Sequence, residues 1–218
     1  MSQINVFTLL FETPRIHTEQ IVCRFISELL NPKGEHEKGE LYLKNFVTRV
    51  LNRGRLLGNG NIANPLNVGT FSDATIECEH PFRVRNPGTI RPIKKRDQKR
   101  LRKHSMDIMM NLNNYYVAIE VKLTAGDSAN QCQDYYSEAM SVAKKIGKTP
   151  LLYYLTKEGA SPSPESIGNL DPRNIRLISF SNEILPWLED CLNQLQTKND
   201  VALYDLMEKF YEALKKIL

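Results

Sequence analysis

Asp107, Glu120 and Lys122 are the residues whose types and spacing best fit a chemical role. Two runs of alternating apolar residues flank Asn113 and Asn114, and asparagine tolerates the positive φ angles of a two-residue hairpin turn. With that turn, counting back along both strands places Asp107 directly opposite Glu120. Two like charges about 5 Å apart repel by about 3 kcal/mol at an effective dielectric near 20. A divalent cation bound between them would reverse the sign of that interaction.

The same alternation assigns the side chains of the hairpin to two faces. One face is apolar and is expected to face the core; it carries Met106, Ile108, Met110, Val117, Ile119, Val121 and Leu123. Asp107, Glu120 and Lys122 share the other face, away from the apolar stripe. Carboxylate oxygens with open water positions suit Mg²⁺ or Mn²⁺. The alternative is a solvated strand face with an ordinary lysine–glutamate pair.

Other catalytic motifs are absent from the sequence. The cysteines are Cys23, Cys78, Cys132 and Cys191. They form no CxxC pair and are expected to be buried, reduced thiols. The histidines add no metal cluster. No GxxxxGK[ST] sequence occurs, so the chain is not expected to hydrolyse nucleoside triphosphates.

A basic insertion precedes the hairpin. Residues 83–104 hold ten lysines and arginines and one acid, a net charge of +9, against +4 for the whole chain, so the other residues carry −5. Such a block attracts a polyanion, most commonly nucleic acid. We expect phosphate contacts from Arg91, Lys94, Lys95, Arg96, Lys99, Arg100, Arg102 and Lys103. The alternative is a flexible, solvated loop.

Length and composition indicate one globular domain over residues 1–218. The chain is 41% hydrophobic and 25% charged, which excludes a disordered chain, a collagen-like rod and a disulfide scaffold. No apolar run approaches the roughly 20 residues that span a bilayer. The N-terminus lacks the basic region and cleavage site of a signal peptide. We therefore expect a soluble, cytoplasmic protein with no membrane partner.

Hydrophobic periodicity predicts an α/β fold. Helices covering a mixed sheet are expected, because the hairpin excludes an all-parallel sheet. The predicted elements before the hairpin are a helix from Thr18 to the stop at Asn31-Pro32, a helix around Leu43 to Leu51, and a strand from Thr75 to His80. After the hairpin come a helix capped by Asp127 or Ser128 and running to about Ile146, the strands LLYYLT and IRLISF, and two closing helices. The last helix has an apolar stripe of Leu203, Leu206, Met207, Phe210, Leu214 and Ile217.

Asp107, twelve intervening residues and Glu120-Val121-Lys122 resemble the core motif of the PD-(D/E)XK nuclease superfamily. FISELLNPKGEHEKGELYLKNF and AIEVKLTAGDSANQCQDYY resemble the first two helices, and the strand and helix after the motif, of a bacterial branch. The resemblance covers most of the chain except the basic insertion. Met106 stands where the motif name has Pro, and Ser105 stands where this branch often has a basic residue. Neither departure removes a metal ligand. The resemblance implies a restriction-endonuclease-like, three-layer α/β/α fold with a central mixed sheet.

The resemblance also implies roles for residues of the motif. Asp107 and Glu120 would ligate Mg²⁺, together with the carbonyl of Val121. Lys122 would orient the attacking water and stabilise charge on the phosphate. Gln131, at the start of the following helix, would assist near the active site.

Further residues follow from the same resemblance. Glu28 matches an acidic residue that many members keep on the first helix, with a surface salt bridge as its alternative. Glu79 or Glu77 would supply another acid from the neighbouring strand, and Glu79 is the metal-ligand candidate. Tyr135, one helical turn after Gln131, is expected to contact nucleic acid, with helix packing as its alternative. His36 falls in the matching loop.

The resulting hypothesis is a Mg²⁺-dependent nuclease, with Mn²⁺ as a substitute, that hydrolyses DNA by in-line attack of water. The alternative is a non-catalytic nucleic-acid-binding module, or a subunit of a larger defence or repair complex, on the same fold. Cleavage of both strands usually needs two active sites, which is compatible with a homodimer. DNA versus RNA, sequence specificity, endo versus exo action and one versus two metals stay open.

Overall fold

The computed structural model describes residues 5–13, 17–58, 60–61, 65–84, 102–196 and 200–218. Seven α-helices and seven strands lie in this part of the chain. In chain order they are α1 Val6–Glu12, α2 Thr18–Leu30, α3 Leu41–Arg49, β1 Arg55–Leu56, β2 Gly60–Asn61, β3 Thr75–Val84, β4 Arg102–Asn111, β5 Tyr115–Lys122, α4 Gln131–Lys145, β6 Thr149–Thr156, α5 Pro164–Ile167, β7 Ile175–Ser179, α6 Leu185–Gln196 and α7 Val201–Ile217.

The strands form one mixed sheet in the order β2-β1-β7-β6-β5-β4-β3. Neighbours β3, β4 and β5 are antiparallel, whereas β5, β6 and β7 are parallel. The parallel half requires crossovers, and α4 provides the one between β5 and β6. The predicted α/β class with a mixed sheet is confirmed.

Both faces of the sheet are buried, which confirms the three-layer architecture. Alternate residues of β5 enter different clusters: Val117, Ile119 and Val121 pack on the side of α1, α2, α3, α6 and α7, and Tyr116 and Ala118 pack against α4. The alternation in the sequence therefore separates two cores. Glu120 lies on the face away from the stripe of Val117, Ile119 and Val121, as predicted, and α4 covers that face as well.

The β4–β5 register is the predicted one over Ile108–Asn111, which pairs with Ile119–Tyr116. The reason given for the turn was wrong. Among the described residues, the non-glycine positions with positive φ do not include Asn113 or Asn114. Contacts outside the hairpin hold the turn instead: Asn113 Nδ2 donates to Thr70 O at 2.6 Å, and Thr149 N donates to Asn114 O at 2.9 Å.

Two predicted boundaries also change. Helix α4 begins at Gln131, because Asn130 has the left-handed φ of 60°. Asp127 is not its cap; its carboxylate accepts from Tyr154 Oη and Ser163 N. Strand β3 runs on to Val84 and β4 begins at Arg102, so the ends of the basic insertion belong to the sheet.

Smaller outcomes complete the comparison with the predicted elements. The sequence patterns did not predict α1, β1, β2 or α5. Leu206 of α7 is exposed and does not join the buried stripe. The cysteines are free thiols, and all but the half-buried Cys78 are buried. Within the described ranges, no helix is long and apolar enough to cross a membrane.

Candidate active site

The β4–β5 ladder opens just where it reaches the two acids. Its last regular pair is Ile108 with Ile119. The same register would bring Val121 opposite Met106, but Val121 N donates to the side chain of Asp107, at 2.7 Å from Oδ2. A carboxylate thus replaces a backbone acceptor. Met106 packs in the cluster under α4 rather than with Ile108, so its predicted face was wrong.

The neighbouring strand β3 is irregular at the same level. Cys78 pairs with Ile108 and His80 with Met106, so Glu79 lies across from Asp107. Glu79 has a φ of 56°, a conformation that costs a non-glycine residue about 1–2 kcal/mol. Strained backbone of this kind is concentrated at functional sites.

Glu120 is almost completely buried, with 2% of its surface exposed. Its Oε1 atom accepts from Gln131 Nε2 at 2.5 Å and from Lys122 Nζ at 2.8 Å. Its Oε2 atom is also buried, and no donor among the described residues reaches it. A buried carboxylate oxygen without a partner is costly unless a proton or a cation satisfies it.

The carboxyl groups of Asp107 and Glu120 lie close enough to affect each other's titration. Burial raises the pKa of Glu120 well above its usual value, and the charge of Asp107 raises it further. Burial also raises the pKa of Asp107, although the Val121 N–H opposes this shift. Burial disfavours the charge on Lys122, but Glu120 and Asp107 outweigh it and raise the pKa of the ammonium. Two carboxylates thus face one ammonium.

This donor set fits a divalent cation. Mg²⁺ is commonly held by one or two carboxylates while keeping waters or substrate phosphates as its other ligands. The N–H of Val121 faces Asp107. Because the N–H and C=O of one strand residue point the same way, the Val121 carbonyl is expected on that side too. Within the described part of the chain, no group of three or more histidine, cysteine, aspartate or glutamate side chains forms a metal site.

Gln131 lies where the resemblance placed it, beside Glu120, and a buried network holds it there. Its Oε1 atom accepts from Ser128 N at 3.2 Å, and its Nε2 atom also donates to Tyr135 Oη at 3.1 Å. Tyr135 Oη donates to Ser105 O at 2.7 Å. These bonds link α4 to β4 and fix the orientation of Glu120.

Tyr135 is 3% exposed, which contradicts its predicted contact with nucleic acid. Its ring packs edge-on against Phe82, with centroids 5.3 Å apart. Helical position alone did not reveal this burial, because it does not show that α4 packs on the face of the sheet that carries Glu120.

The acid that α2 brings toward the site is Glu19, not Glu28. Glu28 is exposed at the far end of α2, where its Oε1 accepts from Glu35 N at 2.5 Å. Glu19 lies about 13 Å earlier along the helix, and its Oε1 accepts from the backbone where β5 ends. Its place in the first turn, after the predicted start at Thr18, was the signal available in the sequence.

The two strand acids do not provide a third carboxylate. Glu79 forms an ion pair with Arg24 of α2, with 2.5 Å between Oε2 and Nη2. Glu77 is exposed and contacts His80. Glu79 lies across from Asp107, but its carboxylate faces Arg24. The choice between Glu77 and Glu79 therefore stays open.

His36 has a structural place in the loop between α2 and α3. It is buried; its Nδ1 accepts from Lys38 N at 3.0 Å, and its Nε2 therefore donates to Asn31 O at 2.9 Å.

The basic insertion remains a prediction. Arg91, Lys94, Lys95, Arg96, Lys99 and Arg100 lie outside the described residues. Arg102 and Lys103 lie on β4, paired with Val84 and Arg83 of β3. The insertion therefore joins the ends of β3 and β4, on the far side of Asp107 from the β4–β5 turn.

Comparison with known proteins agrees with the motif. The family model of the PD-(D/E)XK nuclease superfamily matches residues 4–212. No curated protein and no solved structure matches the chain. The matched range includes the three strands that meet at Asp107 and the helix that carries Gln131.

Proposed function

Because the chain belongs to the PD-(D/E)XK nuclease superfamily, we propose that it is a Mg²⁺-dependent nuclease that hydrolyses phosphodiester bonds in DNA. Membership implies nuclease-type phosphodiesterase activity and, in general, a divalent metal ion. The observation that carries the assignment to this site is the buried Oε2 atom of Glu120, beside Asp107, which no donor in the described part of the chain reaches. The proposed metal ligands of this chain all lie on β4 and β5.

Asp107 and Glu120 would hold the metal, with the carbonyl of Val121 as a further ligand. A divalent cation held by these residues would supply an activated water and would neutralise charge on the phosphate. Gln131 and Lys122 both bind Glu120 Oε1, which leaves Oε2 as the oxygen offered to a ligand. The residues thus prearrange the carboxylate before substrate arrives.

Lys122 supplies the positive charge of the site. Glu120 and Asp107 keep its ammonium protonated at neutral pH against the effect of burial. The side chain is 11% exposed, so the ammonium is confined to one position instead of ranging through solvent. A fixed cation beside the metal ligands can stabilise the charge that develops on a phosphate under attack.

The basic insertion would bind the DNA backbone. Residues 83–104 carry a net charge of +9. They connect β3 to β4, and both strands pass through the level of Asp107. Each phosphate contact steepens the salt dependence of binding, by about 0.9 in the slope of log K against log salt. Changing Lys94, Lys95 and Arg96 to alanine should weaken binding and reduce this slope by up to about 3.

The test is a cleavage assay on supercoiled plasmid, linear duplex, single-stranded DNA and RNA of the same sequence, with Mg²⁺, Mn²⁺ or EDTA. We expect cleavage of DNA that EDTA and Glu120→Gln both abolish. Glu212→Gln is the matched control, because Glu212 is an exposed residue of α7. A folded protein that binds DNA in a salt-dependent way but cleaves no substrate would favour the binding module or the subunit of a larger complex. Cleavage of RNA alone would move the substrate to RNA.

A further inference from the structure

Glu19 makes a long-range contact that neither the motif nor the proposed function uses. It lies in the first turn of α2, yet its Oε1 atom accepts from the backbone N–H groups of Leu123, Thr124 and Ala125 at 2.8, 2.9 and 3.0 Å. These residues follow Lys122 directly. One carboxylate oxygen therefore ties the start of α2 to the end of β5.

The contact is suited to a charged carboxylate. Consecutive backbone N–H groups that converge on one point form a concave anion site. The first turn of a helix also favours negative charge. Although burial would raise the pKa of Glu19, the three backbone hydrogen bonds outweigh it and lower the pKa. Glu19 is therefore ionised at neutral pH, and its hydrogen bonds are of the stronger, charge-assisted kind.

The segment that Glu19 holds lies between the two groups that fix Glu120. Lys122 precedes residues 123–125, and Gln131 begins α4 shortly after them. Both donate to Glu120 Oε1. A shift of this segment would move both donors relative to the carboxylate that they orient.

The rest of α2 approaches the same acids. Cys23, one turn after Glu19, is buried and lies close enough to Asp107 and Glu120 for their charges to raise its pKa further, after the larger effect of burial. The N-terminal half of α2 therefore lies over the open end of the ladder. Glu19 is placed to connect that helix to the loop that leaves the site.

We propose that Glu19 is a positioning residue of the active site, which clamps residues 123–125 so that Lys122 and Gln131 stay aligned with Glu120. The inference rests on the proposed nuclease function. It assigns Glu19 no contact with substrate. A purely structural contact would change stability alone, whereas a positioning contact also changes the rate of cleavage and the affinity for metal.

The experiment compares Glu19→Ala and Glu19→Gln with the wild-type chain and with Glu212→Ala, an exposed control on α7. Glutamine keeps an acceptor oxygen, and alanine removes it. We expect Glu19→Ala to lower kcat by about 10–100-fold, as loss of a supporting hydrogen-bond partner does at metal sites, with little change in the KM for DNA. Glu19→Gln should recover most of that loss.

Two readouts do not need cleavage. Amide hydrogen exchange at residues 123–125 should accelerate in Glu19→Ala, and Mn²⁺ titration should show about tenfold weaker binding. A folded Glu19→Ala with wild-type kcat and Mn²⁺ affinity would overturn the inference, even if stability fell.

If the wild-type chain cleaves nothing, the proposed function fails, and the Mn²⁺ titration still decides whether Glu19 positions the acids. If Glu19→Ala does not fold, Glu19→Gln decides the question. Wild-type exchange, kcat and Mn²⁺ affinity in Glu19→Gln support a clamp made by the acceptor oxygen. A Glu19→Gln variant that loses kcat while exchange at residues 123–125 stays at the wild-type rate overturns the inference.

Discussion

The two ends of the β4–β5 hairpin are made from the same strands but have opposite character. At the closed end, backbone pairs run regularly from Asn111–Tyr116 to Ile108–Ile119. At the open end, the Val121 N–H bonds a side chain, and Glu120 Oε2 has no donor among the described residues. The closed end satisfies its polar groups, and the open end leaves one buried carboxylate oxygen to be satisfied by a ligand.

The difference shows where the chain gives up stability for chemistry. Closing the ladder at Val121 and Met106 would add backbone hydrogen bonds but would leave Asp107 no donor there. Two carboxyl groups are instead brought together in a buried position. Burial raises the pKa of both, and the charge of Asp107 raises the pKa of Glu120 further. Sites built for ligand binding commonly break such local rules and are less stable without the ligand. The predictions below test whether the two ends differ in this way.

Lys122→Ala should have the largest effect on function among the variants that keep both proposed metal ligands. Without the ammonium, the charge that develops on the phosphate loses its nearest fixed cation, and kcat should fall by about 10²–10³-fold. Mn²⁺ titration and circular dichroism should show that metal binding and folding are largely kept, since Gln131 still holds Glu120. Lys144→Ala, an exposed lysine of α4, is the control. Equal cleavage by both variants would mean that Lys122 has another role.

Glu120→Gln should abolish cleavage and yet stabilise the metal-free protein. The amide oxygen can still accept from Lys122 and Gln131, while its NH₂ group faces Asp107 without the repulsion between two charges. We expect a gain of about 1–3 kcal/mol in the free energy of unfolding, or about 2–4 °C in Tm for each kcal/mol. Thermal unfolding in EDTA measures it. A lower Tm for the variant would show that the charge of Glu120 does not destabilise the metal-free protein.

The pH dependence of that gain has a defined sign. The folded-state pKa of Glu120 is raised, first by burial and then by Asp107, above its unfolded value of about 4.3. Below that pH both states are protonated and the carboxyl carries no penalty. As pH rises from about 4.3 through the raised pKa, the wild-type chain loses stability relative to the variant. Saturating Mn²⁺ should reverse the order, because only the wild-type chain retains both ligands.

Lys148→Ala tests the closed end and should have a moderate effect on stability alone. Lys148 Nζ donates to Asn111 Oδ1 and to Leu112 O, both at 2.6 Å, next to the turn. Losing these bonds should lower the free energy of unfolding by about 1–2 kcal/mol, measured by urea denaturation. Cleavage should stay within about twofold of wild type, because the change leaves the open end intact. A large loss of kcat would show that the two ends are coupled.

The sequence predicted the parts of the fold that depend on local pattern. The start of α2 came from helical periodicity, and the register of β4 and β5 came from alternation counted back from the turn at Asn113 and Asn114. The burial of Glu120 did not, because alternation reads the same whether the second face meets water or another helix. The turn at Asn113 and Asn114 was correct in position and wrong in mechanism, since distant residues hold it.

The candidate site was predictable as far as neighbouring strands determine it. The approach of Asp107 to Glu120 follows from register, and the family resemblance put Gln131 near the site. The structure adds that Gln131 bonds Glu120. The contact of Glu19 with residues 123–125 is between residues about a hundred positions apart, and no local pattern encodes it. Choosing between Glu19 and Glu28 required knowing which end of α2 meets β5.

Glu28→Ala therefore makes the smallest expected change and completes the comparison along α2. Glu28 is exposed, and its side chain accepts from Glu35 N in the loop after α2. Its removal therefore leaves Glu120 and the donors of Glu120 in place. Surface substitutions of this kind usually shift stability by no more than about 0.5 kcal/mol. We expect cleavage within about twofold of wild type in the assay in which Glu19→Ala loses activity. The opposite result, with Glu28→Ala inactive and Glu19→Ala active, would restore the sequence-based choice and place the far end of α2 at the substrate.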